Sequence, residues 1–203
     1  MKKSYSHFTT DDLTDLGLTV VQDYLFKHVK SNAPSDWLLE TLAFNQQIPM
    51  ISEKARSELL ITPILLEMRR KNPHTFTYFS GCPFNIDNQR GLKGFCDFII
   101  AKPWNSAFIQ SPVLAIVEAK HNQDLLDAIP QCSAEMYAAQ LFNQDKKISL
   151  DVIYGAITNG YEWLFLTLNK HIIQVDIDRY MIKNLPELLG IWQLMIDDFC
   201  IKE

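Results

Sequence analysis

Residues 112–121 read PVLAIVEAKH, a hydrocarbon run that ends abruptly on a carboxylate and an ammonium. A short apolar run bounded by Pro and by polar residues reads as a strand buried on both faces. Such a strand needs helices on both sides of its sheet, which directs the chain towards α/β architectures. Side chains alternate across a strand, so Leu114, Ile116, Glu118 and Lys120 are expected on one face and Val113, Ala115, Val117 and Ala119 on the other. Glu118 and Lys120 then project the same way from the strand's end. Burial of unpaired charges is costly, so the pair has two readings: the strand surfaces into water here, or the two charges belong to a built site.

The segments around this strand give an order of elements. Asp11 or Asp12 is placed to cap a helix over LTDLGLTVVQDYLFKHV, Ser35 caps DWLLETLAFN, and Ser52 opens EKARSELLITPILLEMRRK, which Pro63 is expected to bend or divide. The period then changes. HTFTYFSGCPFNID and GLKGFCDFIIAK read as strands joined by a turn at DNQRG, and SPVLAIVEAK follows. NQDLLDAIPQCSAEMYAAQLFNQ is helical, with Pro130 marking the start of its main part. DVIYGAIT, YEWLFLTL and HIIQVDI are strands separated by turns at Asn159-Gly160 and Asn169-Lys170, and LPELLGIWQLMIDDFC closes the chain as an amphipathic helix. The expected fold is an α/β sandwich on a mixed sheet, as one domain of 203 residues. Residues 1–50 form a helical extension, 51–160 the core, and 161–203 added strands and a helix.

Composition narrows the partners. Hydrophobic residues at 47% and charged residues at 21% fit a globular chain, and the longest apolar stretch, LLITPILLEM, is too short to span a bilayer. The start MKKSYSHFTTDDL has no apolar run of the kind a signal peptide carries, and Cys82, Cys96, Cys132 and Cys200 lack CxxC spacing. Both features lead to an expectation of reduced thiols in a cytoplasmic protein. A net charge of −5 argues against a basic coat for nucleic acid, but a divalent ion held by carboxylates can bridge to phosphate.

Asp97 sharpens the second reading of Glu118 and Lys120. It stands in GLKGFCDFII between Phe95, Cys96, Phe98 and Ile99, and an acid in so apolar a run needs a partner or a cation. If the two strands are neighbours, Asp97, Glu118 and Lys120 converge. Two carboxylates, the backbone carbonyl of Ala119 and several waters suit Mg²⁺. Asp97 followed one hairpin later by Glu118-Ala119-Lys120, with a helix before and a helix after, resembles the PD-(D/E)XK nuclease superfamily, the restriction-endonuclease-like fold. The likeness covers 52–160, and Cys96 stands where the family places a variable proline.

That resemblance implies a Mg²⁺- or Mn²⁺-dependent enzyme hydrolysing DNA. Asp97 would be the central metal ligand, Glu118 the second carboxylate, and Lys120 the group that orients the attacking water. Glu58 on the first core helix, with Glu53 as its substitute, corresponds to the helix glutamate that reaches the metal in such nucleases. Gln131 resembles a glutamine of RecB-like members, although their Gln-x-x-x-Tyr spacing is not met because Tyr137 lies too far along; Glu135 lies one turn beyond Gln131. Trp163, Phe165, Trp192 and Tyr161 read as core or interface aromatics. His121 follows Lys120 and is expected to point away from it. Arg69, Arg70 and Lys71 fit either a phosphate track or an ordinary cationic helix end. A catalytically idle member of the fold, serving as an interaction or nucleic-acid-binding module, is the alternative. The acidic balance and the lack of a recognition domain favour this module, or at least a protein that needs a partner for targeting; a homodimer or a partner protein is open.

Overall fold

The computed structural model describes residues 3–120 and 124–201. It begins with a departure from the expected N-terminal helix. Thr9, not Asp11 or Asp12, caps α1 (Thr10–Asp15) in a reciprocal capping box with Asp12. The helix stops at Gly17, whose φ of +76° lies in the left-handed region. Thr19, Val20 and Val21 follow, and their branched side chains favour extended backbone. They open β1 (Thr19–Asp23), which pairs parallel with β7 (Ile172–Asp176). The first fifty residues are therefore not a helical extension: they supply the sheet with an edge strand.

Ser35 caps α2 (Asp36–Asn45) and Ser52 caps α3 (Glu53–Arg56), each accepting a backbone N–H three residues on. A wide π turn at Ser57–Ile61 joins α3 to α4 (Thr62–Lys71), and Pro63 lies in the first turn of α4. Pro63 neither divides the helix nor leaves a polar group stranded. A proline clashes with the carbonyl four residues back and cannot donate to it. That carbonyl, on Leu59, instead accepts from Asn45 Nδ2 at 2.8 Å.

The expected order of helix, three strands, helix and strand is present. The strands β2 (Thr77–Pro83), β3 (Phe95–Ala101) and β4 (Val113–Ala119) run antiparallel in turn. The crossover helix α5 (Ile129–Asp145), with Pro130 in its first turn, returns the chain to β5 (Ile153–Thr158) parallel to β4. After β6 (Glu162–Asn169) and β7, a short β8 (Tyr180–Met181) pairs with β6, and α6 (Leu185–Ile201) ends the described chain. The strand order is β1-β7-β6-β5-β4-β3-β2, with β8 beside β6, so the fold is α/β with a mixed sheet flanked by helices.

Two apolar cores lie on opposite faces of the sheet. One packs α2, α4 and α6 against it, with Trp192 meeting Trp163 and Phe165 edge-on at ring separations of 5.9 and 5.8 Å. Tyr161 does not join them; it is 37% exposed, with the Arg56 guanidinium over its ring. The other core packs α5 and the N-terminal segment. Gly155 on β5 lets α5 approach closely, because a Cβ there would collide with Met136 Sδ. The four cysteines are free, and no helix among the described residues is long and apolar enough to cross a membrane.

Strict alternation along β4 fails at one point. Ala101 pairs with Val113 while Ile100 pairs with Ala115, so Leu114 is an extra residue. Leu114 therefore shares a core with Ala115, Val117 and Ala119, while Val113 lies with Ile116 in the core beneath α5. The bulge is clasped by Asn143 on α5: its Oδ1 accepts from Val113 N–H at 2.7 Å and its Nδ2 donates to Val113 O at 2.8 Å. Removing this buried amide strands both backbone groups, each costing about 1–3 kcal/mol. Asn143→Leu is expected to lower unfolding free energy by about 2–5 kcal/mol in denaturant titrations. An unchanged midpoint would show that the clasp contributes nothing to β4.

Candidate functional site

The β3–β4 ladder runs from Ala101↔Val113 to Phe98↔Val117. One step further in this register, Asp97 stands opposite Glu118. The strands part here, and the Ala119 N–H donates to Asp97 Oδ2 at 2.7 Å. On the other side of β4, the Lys120 N–H donates to Thr158 O at 2.8 Å, which keeps the chain parallel to β5 past the end of the strand. Asp97, Glu118 and Lys120 are thus fixed by backbone contacts at the carboxyl end of β4.

Their side chains form a connected row. Lys120 Nζ lies 2.5 Å from Glu118 Oε1 and donates to Gln131 Oε1 at 3.2 Å. Gln131 Nε2 donates in turn to Glu135 Oε1 at 3.1 Å. Gln131 stands in the first turn of α5 and Glu135 one turn later on the same face. Glu118 and Glu135 are both buried, and Glu118 Oε2 and Glu135 Oε2 have no hydrogen-bond partner. Buried carboxyl oxygens rarely stay unpaired unless the site has a use for them.

Burial dominates the electrostatics. It pushes the Glu118 carboxyl up to about 8, with the Asp97 charge adding to the shift and Lys120 opposing it. Asp97 is raised by burial, against the pull of the Ala119 N–H. Burial also raises Glu135 well above the ordinary carboxylate range, and the Glu118 charge raises it further. Burial pulls Lys120 down, but Glu118, Asp97 and Glu53 together carry its ammonium above its usual value. The thiols of Cys96 and Cys132 lie within the field of the cluster, and burial first, then the carboxylates, push both up. Protonated thiols of this kind are not nucleophiles.

Asp97 and Glu118 offer hard oxygens suited to Mg²⁺, an ion that keeps several waters. The orphaned Glu118 Oε2 fits that use. No group of three His, Cys, Asp or Glu side chains among the described residues is arranged to hold a metal ion. Such an ion would therefore rely on two carboxylates and on water. The expectation for Ala119 concerned its carbonyl; its observed contribution is the N–H donated to Asp97.

The first core helix brings Glu53 towards the site in place of Glu58. The charge of Glu53 acts on Asp97, Glu118 and Lys120 alike. Glu58 is 61% exposed and lies 3.8 Å from Lys54 on the solvent face. The difference follows from position: Glu53 opens the helix directly after its Ser52 cap, and Glu58 lies beyond, in the π turn. Arg69, Arg70 and Lys71 lie at the other end of the sheet, near Thr77 and its partner Ala101. There Arg69 covers Trp104, Arg70 covers Trp37, and Lys71 pairs with Glu67, so they track no phosphate at this site. His121 lies outside the described residues.

Sequence reading underweighted Glu135, whose i,i+4 spacing from Gln131 was the available signal, and placed Glu53 second to Glu58. A pH dependence follows from Glu118. Its carboxyl is held at about 8 in the fold against an ordinary value of 4.5, so between these values the native state keeps a proton that the unfolded chain has released. This contribution to stability is complete below the lower value and is lost as pH rises through the higher one; Asp97 and Glu135 are raised and act with the same sign. The metal-free protein should therefore lose stability from about pH 5 to about pH 8, by about 1.4 kcal/mol per pH unit for each retained proton. Denaturant midpoints across this range test the sign, and Glu118→Gln should flatten the slope. A midpoint that climbs with pH would contradict the assignment.

Compared with protein-family models, curated proteins and solved structures, the chain gives no match, and the reading of the site rests on its own chemistry.

Proposed function

We propose that this protein is a divalent-metal-dependent nuclease of the PD-(D/E)XK type, with a restriction-endonuclease-like core, that hydrolyses DNA phosphodiester bonds. The observation that carries the reading is the meeting of Asp97, Glu118 and Lys120 where β3 and β4 part. The core order supports it: helix, three antiparallel strands, a crossover helix, and a fourth strand parallel to the third. Open α/β sheets bind ligands beyond the carboxyl ends of their strands, where this cluster lies.

Mg²⁺ or Mn²⁺ would be held by Asp97 and Glu118 with waters and the Ala119 carbonyl, while Glu53, in place of Glu58, would add its charge from the helix without ligating. When bound, the ion neutralises phosphate charge and acidifies water. The chain's own residues do the remaining work. Asp97 is aimed by the Ala119 N–H, so it needs no reorganisation to serve as a ligand. Lys120, held between Glu118 and Gln131, presents an ammonium that orients the attacking water and stabilises charge growing on the phosphate. In-line attack by that water would form the new P–O bond as the bond to the leaving sugar oxygen breaks; the proton the water sheds passes to solvent, and the sugar oxygen takes one from solvent. With a net charge of −5 the chain gains little long-range attraction to DNA, so targeting falls to a second copy or a partner protein.

A second reading has its own observation. The 2.5 Å contact of Lys120 Nζ with Glu118 Oε1 gives that carboxyl a partner without a metal, as expected of an idle member of the fold serving as a binding module. Cleavage assays on single-stranded, duplex and nicked DNA with Mg²⁺ or Mn²⁺, beside a chelated control, separate the two. Under the nuclease reading, Lys120→Ala should keep the fold and metal binding while slowing the chemical step by about 10²- to 10⁴-fold. Asp97→Asn, which keeps an acceptor for the Ala119 N–H, should stay folded and lose both metal binding and cleavage. Metal at about a hundredfold its dissociation constant should stabilise the wild type by about 2.7 kcal/mol. A melting temperature indifferent to millimolar Mg²⁺ and Mn²⁺, with no cleavage of any substrate, would favour the module.

A further inference from the structure

Glu135 is the most deeply buried acid of the cluster, at 0% exposure. It satisfies one oxygen through Gln131 and leaves the other without a partner. The titratable groups around it are Glu118 and Asp97 from the strands, Cys96 and Cys132, Tyr5 from the N-terminal segment, and Lys120, which reaches it only through Gln131. A half-satisfied buried carboxyl costs stability relative to an apolar side chain of the same length. Packing gives no reason to keep an acid at this position, and its hydrogen bond leads towards the site.

We infer that Glu135 is a positioning residue: by accepting from Gln131 Nε2 it fixes the amide with its carbonyl towards Lys120, and so sets where the Lys120 ammonium stands. The donor inventory makes the direction unambiguous. An ammonium only donates, so the Gln131 oxygen must face Lys120 and its NH₂ must face an acceptor. Glu135 Oε1 is that acceptor. Without it the amide is free to turn over, and one of its two orientations sets NH₂ against the ammonium. Lys120 would then keep only Glu118, the carboxylate the proposed metal also needs. Glu135 thus supplies Lys120, through Gln131, with a second anchor independent of the metal-binding carboxylates.

The inference rests on reading Lys120 as the working cation of the site, but its test does not require cleavage. The variants are Glu135→Met, Glu135→Gln and Gln131→Leu, with the order of the Lys120 ε-methylene followed by carbon-13 NMR relaxation. Glu135→Met should fold and melt at or above the wild-type temperature while Lys120 loses order. A purely structural role would move stability down and leave Lys120 alone. Glu135→Gln, which keeps a carbonyl acceptor, should restore the order. Gln131→Leu should loosen Lys120 as much as Glu135→Met does, and combining the two should add nothing. In the cleavage assay, Glu135→Met should lower kcat about 10- to 100-fold with KM unchanged, the loss typical of removing an orienting partner. A Glu135→Met protein that fails to fold, or that folds with Lys120 as ordered as before, overturns the inference. Should the wild type cleave no DNA, the nuclease reading fails, and the behaviour of Lys120 in the folded variants still decides the role of Glu135.

Discussion

The hydrogen bond from the Ala119 N–H to Asp97 Oδ2 is the contact on which the site depends. Antiparallel strands normally spend such a donor on the neighbouring backbone. Here it goes to a side chain at the point where β3 and β4 separate, so one interaction both ends the ladder and aims a carboxylate. Asp97 pays for its burial through this bond, and the opening between the strands gives Glu118 and Lys120 room to meet. The rest of the fold maintains the opening. Asn143 clasps the bulge upstream in β4, and the Lys120 N–H holds the downstream end against β5.

The cluster is expensive as pure structure. Three buried or half-buried acids lie around one ammonium that is in firm contact with Glu118, two carboxyl oxygens have no partner, and burial holds Glu118 near 8. Apolar replacements of such groups are commonly neutral or stabilising. Their place at the carboxyl end of a central strand, on rigid elements and joined by a directional row of hydrogen bonds, is what supports the proposed site. The large aromatic core on the opposite face has no comparable tension: Trp163, Phe165 and Trp192 are simply packed.

Much of this was legible in the chain. The central strands, the crossover helix starting at Pro130, and the caps at Ser35 and Ser52 follow from local signals that the backbone obeys. Asp97, Glu118 and Lys120 stood out because charges in apolar runs need a reason. Two departures have different causes. At residues 19–23 the stop at Gly17 and the branched Thr19, Val20 and Val21 are local signals for a strand, and β7, some 150 residues away, supplies the parallel edge it pairs with. Glu53 and Glu58 are equal candidates on a helix drawn alone. The seating of the helix against the sheet, with its π turn, leaves the charge of the first acting on the site and the second paired with Lys54.

By itself the sequence determined the residue chemistry: an acid in β3, Glu-x-Lys at the end of β4, and Gln131 and Glu135 one helical turn apart. These follow from composition and periodicity, which act over a few residues. Only the tertiary structure decided how they connect. The bulge at Leu114 shifts the faces of β4, Gly155 lets α5 settle close to the sheet, and Lys120 then reaches Gln131 and, through it, Glu135. Register and helix seating are set by packing summed over both cores, and no short stretch of sequence contains that sum.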